Sequence, residues 1–210
     1  MLIEETGRTP QDMAAELANM KAVDDWPSVW SGSPQGGSTE FAEWCDRKGW
    51  DPLTFDRQLR VRTTGGGRWT FFDRAGMGGP LIALEHYAYQ LKAETAAENG
   101  EVFSAVEASW PTFLQVAQGV LGLPTWTGSW DASDFPEPPR HWYWNGRDER
   151  MLNREPYRFA YWAPAGAVPG EPYFVLSQTV SFPTWTADTP GGTAVSLEVF
   201  PPADSTARAR

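Results

Sequence analysis

The sequence predicts an α+β fold, antiparallel sheets with helices packed on one face. Three observations support it. Met13, Leu17 and Met20 recur at helical spacing, as do Val106, Trp110, Phe113, Leu114, Ala117 and Leu121. Arg57-Gln-Leu-Arg-Val-Arg-Thr63 alternates polar and apolar residues with period two, as a half-buried strand does. Glycine and proline clusters punctuate the chain between these runs.

Taken in order, Thr9-Pro10 followed by Asp12 is an N-cap with proline at the first helical position, opening a helix of about three turns. Pro27 and the run 31–38 (SGSPQGGS) predict a loop. A second helix starts near Ser38 or Thr39, places Phe41, Trp44 and Cys45 on one face and stops at Gly49. After the Arg57–Thr63 strand, Gly65-Gly66-Gly67 turns the chain into a partner strand, Arg68–Phe72. No Lys-Ser/Thr follows the glycine triplet and no helix opens there, so it is a hairpin turn and no phosphate cradle. Ala75–Pro80 is a second turn, and Leu81–Leu91 a third strand. Val102–Leu121 is helical, with Pro111 predicting a kink or a fresh first turn, and Gly119 and Gly122-Leu-Pro124 closing it. Residues 124–139 are too rich in Gly, Pro, Asp and Ser for regular structure. Strands are then expected at His141–Trp144, Tyr157–Trp162, Tyr173–Phe182 and Ala194–Phe200, with Asn145-Gly146 as a hairpin turn.

Both halves, 1–100 and 101–202, read as a helix ending in glycine, a loop, then strands, which suggests an approximate duplication of an α-then-β unit within one body. The polar tail 203–210 is expected to be disordered.

Composition narrows the partners. Seventeen basic against 27 acidic side chains give a net charge of −10, which disfavours nucleic acid and anionic membranes. No stretch is long and apolar enough to span a bilayer, and the start of the chain lacks a signal-peptide layout, so a cytoplasmic protein is expected. Between Ala75 and Pro139 lie eight acidic residues and one base, Lys92. Arginine-rich stretches flank that region: Arg57–Arg74 before it, and Arg140–Arg158 after it. The plain interpretation is solvated acids paired with arginines; the sharper one is an acidic face that steers a basic partner.

Candidate chemistry is sparse. The single cysteine, Cys45, excludes an internal disulfide and a multi-thiolate zinc site, and its helical face makes it a core residue. His86 follows Glu85 directly, so on a strand the two point to opposite faces and form no dyad. His141 lies in an aromatic run, and both histidines are expected to be structural. There is no G-x-S-x-G and no H-E-x-x-H. Asp131, Asp134 and Glu137 cluster without the spacing of a calcium loop, and sequence spacing alone does not make them a glycosidase pair. Neither a metal nor a cofactor is expected. Tryptophan is the anomaly: twelve in 210 residues is roughly four times the usual proportion. Trp26, Trp30, Trp110, Trp126, Trp130, Trp142, Trp144 and Trp185 fall in or beside loops and strand starts, as core residues, partner anchors or ligand platforms.

One stretch resembles a known group. A helix ending Leu121-Gly122-Leu123-Pro124 and leading into a loop with Trp126, Trp130 and Asp131 is similar to the small actinobacterial immunity proteins of polymorphic-toxin systems. Glu43–Trp50 has a comparable helix-then-Gly-Trp ending, and 14 arginines against 3 lysines suit a high-GC genome. The resemblance implies a cytosolic, non-catalytic, acidic protein that occludes a toxin's active site, and assigns no residue a role.

The expectation is therefore a protein-binding module that inhibits a basic partner, a toxin domain, through Trp126, Trp130, Asp131, Asp134, Phe135 and Glu137. A carbohydrate or small-ligand binder using the loop tryptophans is the first alternative, and an enzyme of unrecognised type the second.

Overall fold

A computed structural model describes residues 2–4, 8–54, 59–73, 79–166, 169–181 and 188–203. The elements run β1 (Ile3–Glu4), α1 (Pro10–Lys21), α2 (Trp26–Trp30), α3 (Thr39–Asp46), β2 (Trp50–Thr54), β3 (Leu59–Thr63), β4 (Arg68–Asp73) and β5 (Leu81–Lys92). There follow a short 3-10 turn (Ala96–Glu98), α4 (Asn99–Leu121), β6 (Trp126–Ser129), α5 (Arg147–Asn153), β7 (Arg158–Trp162), β8 (Tyr173–Val180) and β9 (Gly192–Phe200). The fold is α+β, as the alternating and helical periodicities predict.

Local chemistry starts the helices where the sequence places them. Thr9 and Asp12 form a reciprocal capping box on α1, and the Ser38 hydroxyl accepts from the Phe41 amide at the head of α3. The α4 helix runs unbroken through Pro111. Just before that proline, the Gln178 side chain on β8 donates to the Val106 carbonyl and the Ser109 hydroxyl, tying the helix to the sheet.

Every strand pairing is antiparallel, in the order β2-β3-β4-β5-β9-β8-β7-β6, with β1 beside the far end of β5. Each half of the chain contributes a four-stranded run, and the last strands of the two runs, β5 and β9, pair at the centre. The first half and the second half thus build one continuous sheet.

The two faces of that sheet are covered differently. Helices α1, α2 and α4 lie on one face, over Leu84, Leu176, Val195, Leu197 and Val199. On the other, residues 132–144 fold back over the second-half strands, burying Phe135, Tyr143 and Trp144 against Phe159, Val175 and Phe200. Tryptophan fills much of this interior: Trp26, Trp30, Trp44, Trp50, Trp69, Trp110, Trp144 and Trp162 are buried. Trp185 lies outside the described residues, as do Arg57, Gln58, Arg74 to Gly78 and Phe182 of the predicted strands and turns. The tail from Asp204 lies outside them too.

Four expectations need correction. Residues 26–30 form a helical turn capped by Asp25, with Trp26 and Trp30 stacked at 5.0 Å. Residues 50–54, to which the sequence pattern assigns no element, form an edge strand, where Pro52 is tolerated beside a bulge. Trp126–Ser129 is a strand paired to β7 and no loop, and Gly128 belongs there because a Cβ would sit 2.6 Å from the Trp126 ring. His141–Trp144 is a turn, its aromatic run turned into the second core, and Gly146 caps α5 where a hairpin was expected.

Candidate functional site

The glycine hairpin resolves as structural. Glu16 points from α1 into the core, where a carboxylate survives only if its oxygens are hydrogen-bonded. Its Oε2 accepts from Thr63 Oγ1 at 2.6 Å and Trp69 Nε1 at 3.0 Å, and its Oε1 from the Gly67 amide at 2.8 Å. Arg8 stands 3.8 Å from Oε1. A Cβ on Gly67 would lie 2.1 Å from Glu16 Cδ, so the triplet both turns the chain and admits the carboxylate. His86 stacks on Trp69 at 5.3 Å with Nδ1 2.9 Å from the Arg68 carbonyl oxygen, and burial holds its pKa below the ordinary value. It is a core histidine. Glu85, its neighbour, faces the opposite side of the sheet.

Of the six predicted contact residues, five reach the surface along the β6 edge. Trp126 and Trp130 are half-buried; Asp131, Asp134 and Glu137 are exposed. Phe135 is not a surface anchor. It is buried, edge-on to Trp126 at 4.9 Å, with the Arg150 guanidinium 4.0 Å over its ring. The indole Nε1 of Trp126 donates to Asp134 at 3.2 Å, and Ser129 donates to Asp131 at 2.6 Å, which helps hold that carboxyl below its usual range. Arg150 on α5 donates to the Trp130 carbonyl, and Arg154, just past the end of that helix, lies 5.5 Å over the Trp130 ring. Two arginines thus hold Trp130, and the charges of Arg158 and Arg150 also act on Asp131. Among the described residues no group of acids, histidines or cysteines is arranged to hold a metal ion.

The more distinctive feature adjoins that loop. On this face β8 and β9 carry Ser177, Thr179 and Ser196 where flanking positions carry Phe159, Val175 and Phe200, so the sheet leaves a hollow of about 340 Å³. The turn 141–145 walls it. That turn is pinned by Tyr143, stacked on Phe200 at 4.8 Å with its hydroxyl on the Pro201 carbonyl, and by Trp144 Nε1 on the Pro136 carbonyl at 3.0 Å.

Three carboxylates line the hollow: Glu85, Glu155 and Glu198. Glu85 and Glu198 are direct cross-strand partners, a position that sets their Cβ atoms about 5 Å apart. Glu198 Oε1 accepts from Ser177 at 2.7 Å and Ser196 at 3.1 Å, fixing the carboxylate on the floor. Burial pushes its pKa up to about 7, and the Glu85 charge adds to the rise while the two hydroxyls oppose it. Burial also raises Glu85, and burial with the Glu85 charge takes Tyr87 to about 12. Among the described residues no lysine or arginine lines the hollow; Arg140 stacks on Trp142 at 5.3 Å from outside it. His141 sits at the rim, edge-on to Trp142 at 4.6 Å, and among the described residues no hydrogen bond joins its ring to a carboxylate.

Sequence reasoning found His141, Trp142 and Trp144 but gave them no common role, and missed Glu198, Ser177 and Ser196. Their signal is the polar side of Ser196-Leu-Glu198 and Ser177-Gln-Thr179, two strands otherwise apolar, which is visible only once β8 and β9 are paired. No family model, no characterised protein and no solved structure matches the chain, so its class rests on the α+β architecture and its site on this geometry.

Proposed function

We propose that this chain is a non-catalytic, cytoplasmic binding module that captures a basic protein partner, in the manner of an immunity or antitoxin-like inhibitor occluding a toxin domain. The observation that carries the reading is the charge of one surface. The loop bearing exposed Asp131, Asp134 and Glu137 leads directly into the turn that walls a hollow lined, among the described residues, by three carboxylates and no lysine or arginine. A net charge of −10 raises the encounter rate with a basic domain and works against nucleic acid. Half-buried Trp126 and Trp130 supply apolar contact area at the edge of the same surface. Among the described residues no helix is long and apolar enough to cross a membrane.

The test is the triple variant Trp130→Ala/Asp131→Ala/Asp134→Ala. It is expected to keep its circular dichroism spectrum and to lose more than tenfold in affinity for a basic protein captured from the native lysate. That protein, once identified, should arrest growth when expressed alone and not when expressed with this chain. Unchanged affinity removes the loop from the interface.

A second reading has its own observation. Neighbouring carboxylates between aromatic walls also suit a sugar or another small polar ligand, which the rings would stack and the acids hydrogen-bond. Saturable binding on a glycan array, lost in Trp142→Ala, favours that reading.

A further inference from the structure

We propose that the hollow is the receptor for a single arginine side chain of the partner, its guanidinium held between Glu85 and Glu198 and flanked by the rings of Tyr87, Trp142 and Trp144. The inference rests on the reading of this chain as a binder of basic protein and names the group that the site takes.

Three features favour a guanidinium. The first is the free acceptor on the floor: Ser177 and Ser196 both donate to Oε1 of Glu198, so Oε2 takes no hydrogen bond from a described residue and stays available to the hollow. The second is the spacing of the acids. Cross-strand carboxylates about 5 Å apart at Cβ present acceptors side by side, which a planar fork of N–H donors fits better than a point charge does. The third is the wall. Aromatic faces attract a guanidinium by cation–π contact, and Arg140 already stacks on the outer side of Trp142 in that way. A volume of about 340 Å³ admits an arginine side chain with a few waters, and is too small for a helix or a strand.

The electrostatics agree. Burial and the charges of Glu85 and Glu155 disfavour ionisation of Glu198, and among the described residues no lysine or arginine lines the site to relieve it. An incoming cation supplies that relief. Among the described residues the titratable groups lining the hollow with Glu198 are Glu85 and Tyr87 from β5, Glu155 ahead of β7, and His141 and Tyr143 from the covering turn. Of these carboxyls Glu198 holds its proton to about pH 7, so cation binding should strengthen as the solution is taken from pH 6 to pH 8.

The experiment titrates Nα-acetyl-L-arginine methylamide into the full chain and follows tryptophan side-chain resonances by NMR, with Nα-acetyl-L-lysine methylamide and chitobiose as parallel probes. Saturable binding of the arginine probe is expected, at least fivefold tighter than the lysine probe and about tenfold tighter at pH 8 than at pH 6. Glu198→Gln should weaken it more than tenfold while leaving the circular dichroism spectrum unchanged, and Trp142→Phe should retain most of it. Absence of saturable arginine binding, an equal response in Glu198→Gln, or preference for chitobiose overturns the assignment. Failure here is distinguishable from failure of the broader reading. Partner capture that depends on Trp130 and Asp131 but ignores Glu198→Gln sinks only the arginine receptor. Arginine binding abolished by Glu198→Gln, with no basic partner captured at all, supports the receptor and sinks the reading of this chain as an inhibitor.

Discussion

Replacing Glu16 by alanine should cost this fold more stability than removing almost any apolar side chain of similar size. The carboxylate is fully buried and answers three donors, the Thr63 hydroxyl, the Gly67 amide and the Trp69 indole N–H, with Arg8 alongside. Deleting it strands those donors and leaves a hole at the junction of α1 with the β3–β4 hairpin. Breaking a buried ionic group of this kind costs about 3–5 kcal/mol, which for a chain of this length lowers Tm by about 6–20 °C. Glu16→Gln separates hydrogen bonding from volume. Whichever way its amide turns, the NH2 group faces either the Gly67 amide or the Trp69 indole N–H, both donors, so at least one bond is lost, at about 1–3 kcal/mol. Trp69→Phe removes one of those donors, and combined with Glu16→Gln should cost less than the two changes added together. Urea unfolding followed by far-UV circular dichroism measures the parent and all four variants. A loss below about 1 kcal/mol for Glu16→Ala, or additivity in the cycle, would refute the view that this carboxylate organises the hairpin.

Gly67→Ala should destabilise by about 1–3 kcal/mol, because its Cβ would meet Glu16 at 2.1 Å; in a Glu16→Ala background the same change should cost markedly less, which the same unfolding assay reads. Glu198 sets a pH dependence of the opposite sense to an ordinary paired carboxylate. Its pKa is raised from 4.5 to about 7, so the folded chain holds a proton that the unfolded chain releases; stability is full below about pH 4.5, falls as pH rises to about 7 and is level beyond. Glu198→Gln should remove that slope and exceed the parent at pH 8 by about 1–3 kcal/mol in urea unfolding, and an unchanged slope would reassign the proton. Cys45 is buried and burial raises its thiol pKa to about 11, so at pH 8 a thiol reagent should label it only as fast as the chain unfolds; rapid labelling of the native protein would contradict its place in the core.

Much of this architecture is legible because its determinants are local. The Thr9-Pro10-Asp12 cap, the Ser38 cap and the alternation through Leu59–Thr63 act over a few residues, and each element stands where the pattern puts it. The misread segments are those whose conformation is imposed from outside. Trp126–Ser129 is four residues with a central glycine, and it becomes a strand only because β7 offers an edge. The strand-like run His141–Trp144 folds as a turn over the sheet, and its rings are claimed by Phe200, Phe159 and the Pro136 carbonyl. Residues 50–54 carry no period-two pattern of their own and become β2 by pairing with β3 at the edge of the sheet, where Pro52 is tolerated. The candidate site divides in the same way. Trp126, Trp130 and the nearby acids announce themselves by residue type, whereas the Glu85–Glu198 pair depends on the register between the last strands of the two halves, which no local pattern encodes.

The position of β9 also governs when this molecule can exist. The last strand among the described residues occupies the middle of the sheet, hydrogen-bonded to β5 on one side and β8 on the other. A nascent polypeptide emerging from the ribosome can therefore assemble β2 through β5, and later β6 through β8, only as two open ribbons with bare inner edges. Docking of residues 192–200 closes both ribbons in one step, and deleting this one segment would split the sheet in two, leaving the halves to meet only through contacts such as that of α1 with α4.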